Sequence, residues 1–204
     1  MKAVILANGE FPSHPKPLNE LLNAPLLVCC DGAIDRLESL AITPNALVGD
    51  LDSVKEHLKR KYESILYYDP DQNTNDLTKA VKWCLNHRIK EIVIVGATGK
   101  REDHTLGNIG LLCQYARMGL NAIMYTDTGM FQPLLSSARV DSYAGQQVSI
   151  FSPNNQTVIY TKNLKYPIVN QTLPELWMGT LNESLGDWFE LTFSPGPIVI
   201  YMKY

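Results

Sequence analysis

The chain has 204 residues, of which 45% are hydrophobic, so it can form one large domain or two small ones around a normal core. Its 18 basic and 21 acidic side chains give a net charge of -3, with no block of like charge. This balance argues against a nucleic-acid or anionic-membrane partner, and no apolar stretch is long enough to span a bilayer.

Strand and helix signals alternate over the first two-thirds of the chain. Short apolar runs at residues 3–7, 26–30, 46–48, 65–68, 92–95 and 122–125 predict strands of a mostly parallel sheet, whose strands are buried on both faces. Apolar residues at helical spacing follow two of these strands, at 77–85 and at 106–116, and Gly119 is a suitable helix stop. The alternation predicts a Rossmann-like α/β domain over residues 1–128.

The character of the sequence changes after this region. Apolar runs at 147–151, 158–161, 187–193 and 198–202 are separated by turn signals and predict a small all-β domain over residues 133–204. Phe189, Leu191 and Phe193 alternate onto one face, which leaves Trp188 on the polar face for a subunit contact or for stacking on a ligand ring. A domain of roughly 70 residues is marginal alone, so we expect it to lean on the first domain, on a second subunit, or on both.

The cysteines and the first residues predict a compartment. Cys29, Cys30, Cys84 and Cys113 form no Cys-x-x-Cys pair, so we expect buried free thiols, as in a reducing environment. The first nine residues contain one lysine and only a short apolar run. We therefore expect a cytoplasmic protein.

Three acidic segments each follow a predicted strand and precede a helical pattern. They are residues 49–53 (Gly-Asp-Leu-Asp-Ser), 71–76 (Asp-Gln-Asn-Thr-Asn-Asp) and 96–104 (Gly-Ala-Thr-Gly-Lys-Arg-Glu-Asp-His). Because ligands bind beyond the carboxyl ends of parallel strands, Asp50, Asp52 and Asp76 are expected to share one site with a hard cation. Stabilisation of a helix N-terminus is the simpler alternative for each aspartate.

Two shorter signals concern the helix starts. Ser53 and Glu56 have the spacing of a capping box, so Ser53 is expected to close a helix rather than touch a substrate. Thr74 or Asn75 is expected to cap the next helix, which places Asp76 in its first turn.

The third acidic segment also suggests an anion site. Gly96 and Gly99 can direct backbone N–H groups at phosphate oxygens, and Arg101 offers a bidentate fork. The spacing fits neither a Walker A loop nor a Gly-x-Gly-x-x-Gly fingerprint. His104 is either a proton carrier or a structural imidazole. Asn8-Gly9 and Asp31-Gly32 follow the first two strands and either complete the rim of a nucleotide crevice or form ordinary turns.

Taken together and in this order, the motifs resemble those of the thiamin pyrophosphokinase (thiamine diphosphokinase) family. The matching segments are residues 31–33 (Asp-Gly-Ala), 49–53, 71–79, 96–104 and 163–167 (Asn-Leu-Lys-Tyr-Pro). The resemblance implies a homodimer whose subunits each have an α/β ATP-binding domain and a C-terminal β-sandwich. It also implies that thiamin binds where one subunit's sandwich meets the other subunit's α/β domain.

The resemblance assigns further residues by position. It implies metal ligands at Asp50, Asp52, Asp76 and Asp103, catalytic roles for Asp52, Asp76, Arg101 and Asp103, ATP contacts from Asp31, Gly32, Gln72, Thr98, Gly99 and Arg101, and thiamin contacts from Gln72, Thr180 and Asn182. The family transfers diphosphate from ATP to the hydroxyl of thiamin and releases AMP. Charge builds on phosphate oxygens in such a transfer, which Mg²⁺ and Arg101 would offset, while Asp52, or Asp76 in its place, would orient or deprotonate the hydroxyl.

Two alternatives remain open from the sequence. If the β domain holds no organic acceptor, the same residues would serve a Mg²⁺-dependent nucleotide pyrophosphatase. Asn73, Asn75 and Leu181 depart from the family's pattern, which leaves room for a binding module without turnover.

Overall fold

The computed structural model describes all residues from Met1 to Tyr204. The chain forms two compact units, one of Met1–Leu111 with Gly119–Asp127 and the other of Leu112–Met118 with Thr128–Tyr204. No helix combines the length and apolar character needed to cross a membrane.

The first unit contains a six-stranded parallel sheet. Its strands are β1 (Lys2–Leu6), β2 (Leu27–Cys30), β3 (Ala46–Gly49), β4 (Leu66–Tyr68), β5 (Glu91–Val95) and β6 (Asn121–Tyr125). Their order is β6-β5-β1-β2-β3-β4, and every neighbouring pair is parallel. The chain starts at β1 near the centre, builds outward to β4, and then returns to the other side of β1. The strand order therefore reverses between β1 and β5, which is where open α/β sheets bind ligands.

Five helices connect or follow these strands. They are α1 (Pro15–Leu22), α2 (Ile34–Ser39), α3 (Glu56–Lys61), α4 (Asp76–Asn86) and α5 (Glu102–Arg117). Short 3-10 turns occupy Asp31–Ala33 and Glu63–Ile65. The four central strands β1, β2, β3 and β5 are buried along nearly their whole length, because helices must cover both faces of a parallel sheet.

The second unit is antiparallel. Its strands are β7 (Gly129–Leu134), β8 (Ala138–Asp141), β9 (Gln147–Phe151), β10 (Val158–Lys162), β11 (Asn182–Glu183), β12 (Trp188–Ser194) and β13 (Ile198–Lys203). β13 pairs with β7 and β9, and β9 also pairs with β11, while β12 pairs with β10 and β8. Side chains from both groups, including Ile150, Phe189 and Ile200, pack into one apolar core.

The predicted fold class, α/β followed by a small all-β part, is confirmed, and two local predictions are wrong. Ser53 does not cap α3. That helix begins at Glu56, so Lys55 holds the N-cap position, and its side chain makes no capping hydrogen bond. Leu106 lies in α5 as predicted but is 61% exposed, so the buried stripe of α5 begins only at Leu112. Three strands, β7, β8 and the two-residue β11, were not predicted.

Several other expectations are confirmed. Asn75 caps α4 through its side chain, which accepts a hydrogen bond from the Thr78 N–H. All four cysteines are free and buried. Phe189, Leu191 and Phe193 are buried while Trp188 is only half-buried, with the Arg139 guanidinium 4.3 Å from its ring.

Candidate active site

A cavity of about 360 Å³ opens beyond the carboxyl ends of the strands of the first unit. Ala7, Asn8 and Gly9 follow β1, Cys30 and Asp31 lie at the end of β2, and Ala97 and Thr98 follow β5. The remaining lining residues come from the loop before α3 and from the starts of α4 and α5: Ser53, Asn75, Asp76, Leu77, Lys100, Arg101, His104, Thr105 and Asn108. The cavity occupies the switch point of the sheet, and its volume is within the range of small-molecule sites.

Three carboxylates converge beside this cavity. Asp31, Asp50 and Asp76 each offer an oxygen, and these oxygens lie within 4.8 Å of one another. They come from the ends of β2 and β3 and from the first turn of α4, so only the fold brings them together. An all-oxygen donor set that leaves room for phosphate oxygens suits Mg²⁺. We call Asp31, Asp50 and Asp76 the carboxylate triad, and its chemistry fits a divalent cation.

Asp31 is the buried member of the triad, at 2% exposure. Its carboxylate accepts hydrogen bonds from the backbone N–H groups of Gly32 and Leu51, the latter at 3.0 Å. Leu51 adopts a φ of 66°, which is unusual for a residue with a side chain and directs its N–H at Asp31. Burial, followed by the charge of Asp76, raises the pKa of Asp31 to about 6, although the Gly32 hydrogen bond opposes the shift.

Gly49 leaves the space that Asp31 needs. A Cβ at this position would stand 2.7 Å from the Cβ and Cγ of Asp31, closer than real side chains approach. A glycine at the end of β3 therefore permits the close contact on which the triad depends.

One buried lysine accompanies the triad. Lys79 is 3% exposed, and its Nζ lies 3.1 Å from Oδ1 of Asp76 and 3.6 Å from Oδ2 of Asp50. Burial lowers the pKa of Lys79. The hydrogen bond and charge of Asp76, together with the charge of Asp50, raise the pKa by more than burial lowers it, so the net shift is upward. The pKa of Asp50 is lowered, first by the Asp52 backbone N–H and then by Gln72 and Lys79. The ammonium group therefore remains charged beside its two partners.

Two basic residues also line the cavity. Lys100 and Arg101 precede α5, and Lys100 donates to Oδ1 of Asn8 at 3.0 Å. The Arg101 guanidinium is exposed and forms a two-pronged ion pair with Asp103, with its Nε 3.0 Å from Oδ1. The Arg101 hydrogen bond, and then the His104 backbone N–H, lower the pKa of Asp103 to about 2. A phosphate chain in this cavity would find opposite charge in Lys100 and Arg101.

Amide side chains tie the walls of the cavity together. Asn75 caps α4 and donates through Nδ2 to Oδ1 of Asn108 on α5 at 3.1 Å. Asn108 in turn donates to the carbonyl oxygen of Ala97 at 2.8 Å. These bonds link the helix that carries Asp76 to the end of β5.

The structure places the predicted site residues in different settings. Of the four predicted metal ligands, Asp50 and Asp76 belong to the triad, whereas Asp52 and Asp103 lie outside it. Asp52 is exposed and gives its backbone N–H to Asp50. Gln72 donates to Oδ2 of Asp50 at 3.2 Å, next to the triad.

The predicted nucleotide contacts also divide. Asp31, Thr98 and Arg101 line the cavity, while Gly32 and Gly99 do not. Gly32 lies against the Asn8 side chain, and Gly99, at φ 99°, lies against Glu10. Ser53 and His104, for which structural roles were considered, both line the cavity and are exposed.

The two predicted thiamin contacts belong to the second unit. Thr180 is exposed, and its hydroxyl donates to the carbonyl of Trp177 across a turn. Asn182 is 6% exposed, and its amide bonds to the backbone N–H and carbonyl of Tyr166. The Asn182 side chain is therefore already engaged in holding the loop around Tyr166.

Sequence reasoning missed parts of the site. Asp31 was predicted as a nucleotide contact and not as a member of the carboxylate triad, and Lys79 and Asn108 were not identified. Lys79 had a usable signal, since it lies one helical turn after Asp76 and next to the apolar pair Ala80 and Val81. Asn108 had none, because a single asparagine in a helix is ordinary.

Comparisons with known proteins report on the family and the fold of the chain. The family model described as the catalytic domain of thiamin pyrophosphokinase matches residues 18–124, and the model of its substrate-binding domain matches residues 129–201. Thiamin pyrophosphokinase 1 of Caenorhabditis elegans is 30% identical over 121 residues, which cover 54% of this chain and 49% of that protein. Thiamine pyrophosphokinase 1 of Oryza sativa subsp. japonica is 26% identical over 63% of this chain and 57% of that protein. The chain thus spans about half the length of these relatives.

Similarity to solved structures extends over the whole chain. The crystal structure of thiamine pyrophosphokinase from Bacillus subtilis superposes with a TM-score of 0.82 at 22% identity, covering 100% of this chain and 99% of that one. At this identity the likeness concerns the fold. Together the two family models account for most of the sequence, and the chain belongs to the thiamin pyrophosphokinase family.

Proposed function

We propose that this protein is a thiamine diphosphokinase, which transfers diphosphate from ATP to the hydroxyl of thiamin and forms thiamin diphosphate and AMP. The observation that carries the proposal is the carboxylate triad at the switch point of the sheet, two of whose members, Asp31 and Asp76, line the same cavity as Lys100 and Arg101. Membership of the family supplies the reaction class. The proposed division of labour is ATP binding by residues 1–128 and thiamin binding and dimerisation by residues 133–204.

The triad and the basic wall have separate tasks in this reaction. Asp31, Asp50 and Asp76 would hold Mg²⁺, which when bound offsets negative charge on the phosphates. Lys100 and Arg101 line the cavity and would bind phosphate oxygens, Arg101 through its planar fork. For that, Arg101 must exchange its exposed pair with Asp103 for the nucleotide, a change that costs little because exposed ion pairs are weak.

The thiamin hydroxyl needs a group that orients it and accepts its proton. We propose Asp52, whose exposed carboxylate forms no hydrogen bond or ion pair within the chain. It lies two residues after Asp50, a member of the triad. Asp76 is the less suitable choice, since its carboxylate already pairs with Lys79.

We further propose a homodimer with active sites at the subunit interface, acting in the cytoplasm. Support for the compartment comes from four cysteines that are all free. Support for the interface comes from large apolar side chains of the second unit that are exposed in the single chain, among them Leu176, Trp177 and Leu181.

The test is AMP release by the purified full chain with ATP and Mg²⁺, with and without thiamin. AMP that appears only with thiamin, together with thiamin diphosphate in equal amount, is the expected result. Equal AMP release without thiamin would identify a nucleotide pyrophosphatase instead. Stabilisation by the ligands without any AMP would identify a binding module, and either result would overturn the proposal.

A further inference from the structure

Lys79 is the one basic side chain of the chain that is buried. An ammonium group loses its hydration on burial, which is tolerated only if charged partners replace the water. Its partners here are Asp76 and Asp50, and both belong to the carboxylate triad. The lysine is therefore part of the electrostatics of the proposed metal site, although it cannot itself be a ligand of a cation.

The geometry fixes the position of this charge. Lys79 and Asp76 lie one turn apart on α4, so the same helix presents both groups. Asp50 follows β3, so the ammonium group also connects the helix to the neighbouring strand end. Without a cation between them, the carboxylates of Asp50 and Asp76 would repel each other across the short distance that the triad allows.

The charges set how a metal ion competes at this site. Three ionised carboxylates and one ammonium leave two negative charges, which one divalent cation neutralises. The ammonium group is close enough to both carboxylates to repel an ion that they bind. Mg²⁺ in nucleotide sites is commonly held by one or two carboxylates together with substrate phosphates, which supply the missing attraction.

We propose that Lys79 is a positioning residue that acts as an internal cation, an inference that rests on the metal site of the proposed function. It holds Asp50 and Asp76 together before a metal ion arrives, and it weakens the triad for a divalent ion in the absence of nucleotide. The ion then binds firmly only when phosphates accompany it.

The test measures binding of Mn²⁺ in the absence of nucleotide. Electron paramagnetic resonance detects the free ion, so the bound fraction is obtained by difference. Lys79→Met keeps the apolar stem and removes the charge. We expect this variant to bind Mn²⁺ at least about tenfold more tightly than the wild type does. Lys79→Arg restores the charge and binds Mn²⁺ as the wild type does. The matched control is Lys82→Met on the same helix, whose lysine pairs with Asp71 outside the triad, and it also binds Mn²⁺ as the wild type does.

Thermal unfolding supplies the second readout. Metal-free Lys79→Met melts at a lower temperature than the wild type, and Mn²⁺ raises its melting temperature by more than it raises that of the wild type. Equal or weaker Mn²⁺ binding by Lys79→Met would overturn the proposal. An equal loss of stability with and without Mn²⁺ would also overturn it, since that is the signature of packing alone.

Two controls keep the result interpretable. If Lys79→Met does not fold, Lys79→Gln gives the same comparison with a neutral polar end. Because these measurements contain neither ATP nor thiamin, they stand apart from the AMP assay. Wild-type protein that fails to release AMP would overturn the enzymatic function while leaving the Mn²⁺ comparison valid.

Discussion

Asp31 is a buried carboxylate whose ionised form is destabilised by its surroundings. Gly49 makes room for it, and Leu51 turns its backbone to donate to it, yet burial and the charge of Asp76 still raise its pKa to about 6. The ionised form is therefore costly until a cation binds. This cost makes the carboxylate a sensitive reporter of the proposed metal site.

The first prediction concerns the pH dependence of stability. The pKa of Asp31 rises from 3.8 to about 6 on folding, so the folded state binds the proton more tightly and the free energy of unfolding falls as pH rises through this window. Asp31→Asn lacks this loss, so without metal its stability relative to the wild type improves from about pH 4 to about pH 7. Urea unfolding of both proteins across this range measures the difference.

Metal gives the control for this experiment. A divalent cation competes with the proton, so Mg²⁺ should stabilise the wild type more at neutral than at acidic pH. Mg²⁺ should also abolish the gain in stability of Asp31→Asn relative to the wild type near neutral pH. A difference between the two proteins that does not vary with pH would contradict the assigned role of the carboxylate.

The second prediction separates binding from transfer at Asp52. Because Asp52 lies outside the triad and is exposed, Asp52→Asn should leave the stabilisation by ATP and Mg²⁺ almost unchanged. Loss of the group that accepts the proton should lower turnover about 100-fold or more. Asp50→Asn is the comparison, since it should weaken the metal-dependent stabilisation itself. Turnover of Asp52→Asn at the wild-type rate would refute the assignment.

At the scale of elements, α4 is the helix that most directly carries the site. Its cap is Asn75, its first turn contains Asp76, and Lys79 lies one turn later. The Asn75 amide both caps α4 and reaches Asn108 on α5. The residue that caps one helix thus also forms a hydrogen bond to another.

The third prediction tests this cap. Asn75→Ala removes the bond to the Thr78 N–H and should lower the free energy of unfolding by about 0.5–2 kcal/mol. Asn75→Ser should recover most of that loss, because serine is a comparable cap. Asn86→Ala, at the exposed end of the same helix, should change little. If Asn75→Ala and Asn86→Ala are equally stable in urea unfolding, the cap has no energetic role.

The same elements show what the sequence could and could not predict. The buried strands of the parallel sheet are continuous apolar runs, so their positions were predicted to within one or two residues. β7 was missed because Gly129, Gln132 and Pro133 interrupt its apolar pattern. The capping box at Ser53 was wrong because a motif of two residues does not determine where a helix starts. Convergence of the triad could be predicted only in outline, since its members depend on tertiary contacts such as that between Gly49 and Asp31.

At the scale of the whole molecule, exposed apolar side chains are concentrated in one stretch of the second unit. Leu176, Trp177, Leu181 and Leu185 are all more than half exposed. Scattered apolar residues are normal on a surface, whereas several within ten residues are typical of an interaction site. This stretch also contains Thr180, a predicted thiamin contact.

The last prediction tests the proposed dimer through complementation. If each active site combines the first unit of one subunit with the second unit of the other, Asp52→Asn and Thr180→Lys damage different halves of a site. A lysine at position 180 should repel the cationic thiazolium of thiamin, so each variant alone should be inactive. In a dimer of the two, one site has both defects and the other has none. Random exchange of subunits in an equal mixture should then restore about a quarter of the wild-type activity.

The control pairs two variants of the first unit. In a dimer of Asp52→Asn with Arg101→Ala, each site contains one defect, so this mixture should remain inactive whatever the proportion of mixed dimers. Native mass spectrometry should confirm that both mixtures exchange subunits to the same extent. Activity in neither mixture, despite exchange, would place each complete site within one subunit. Activity in both would mean that the defects act on something other than the first unit's own site.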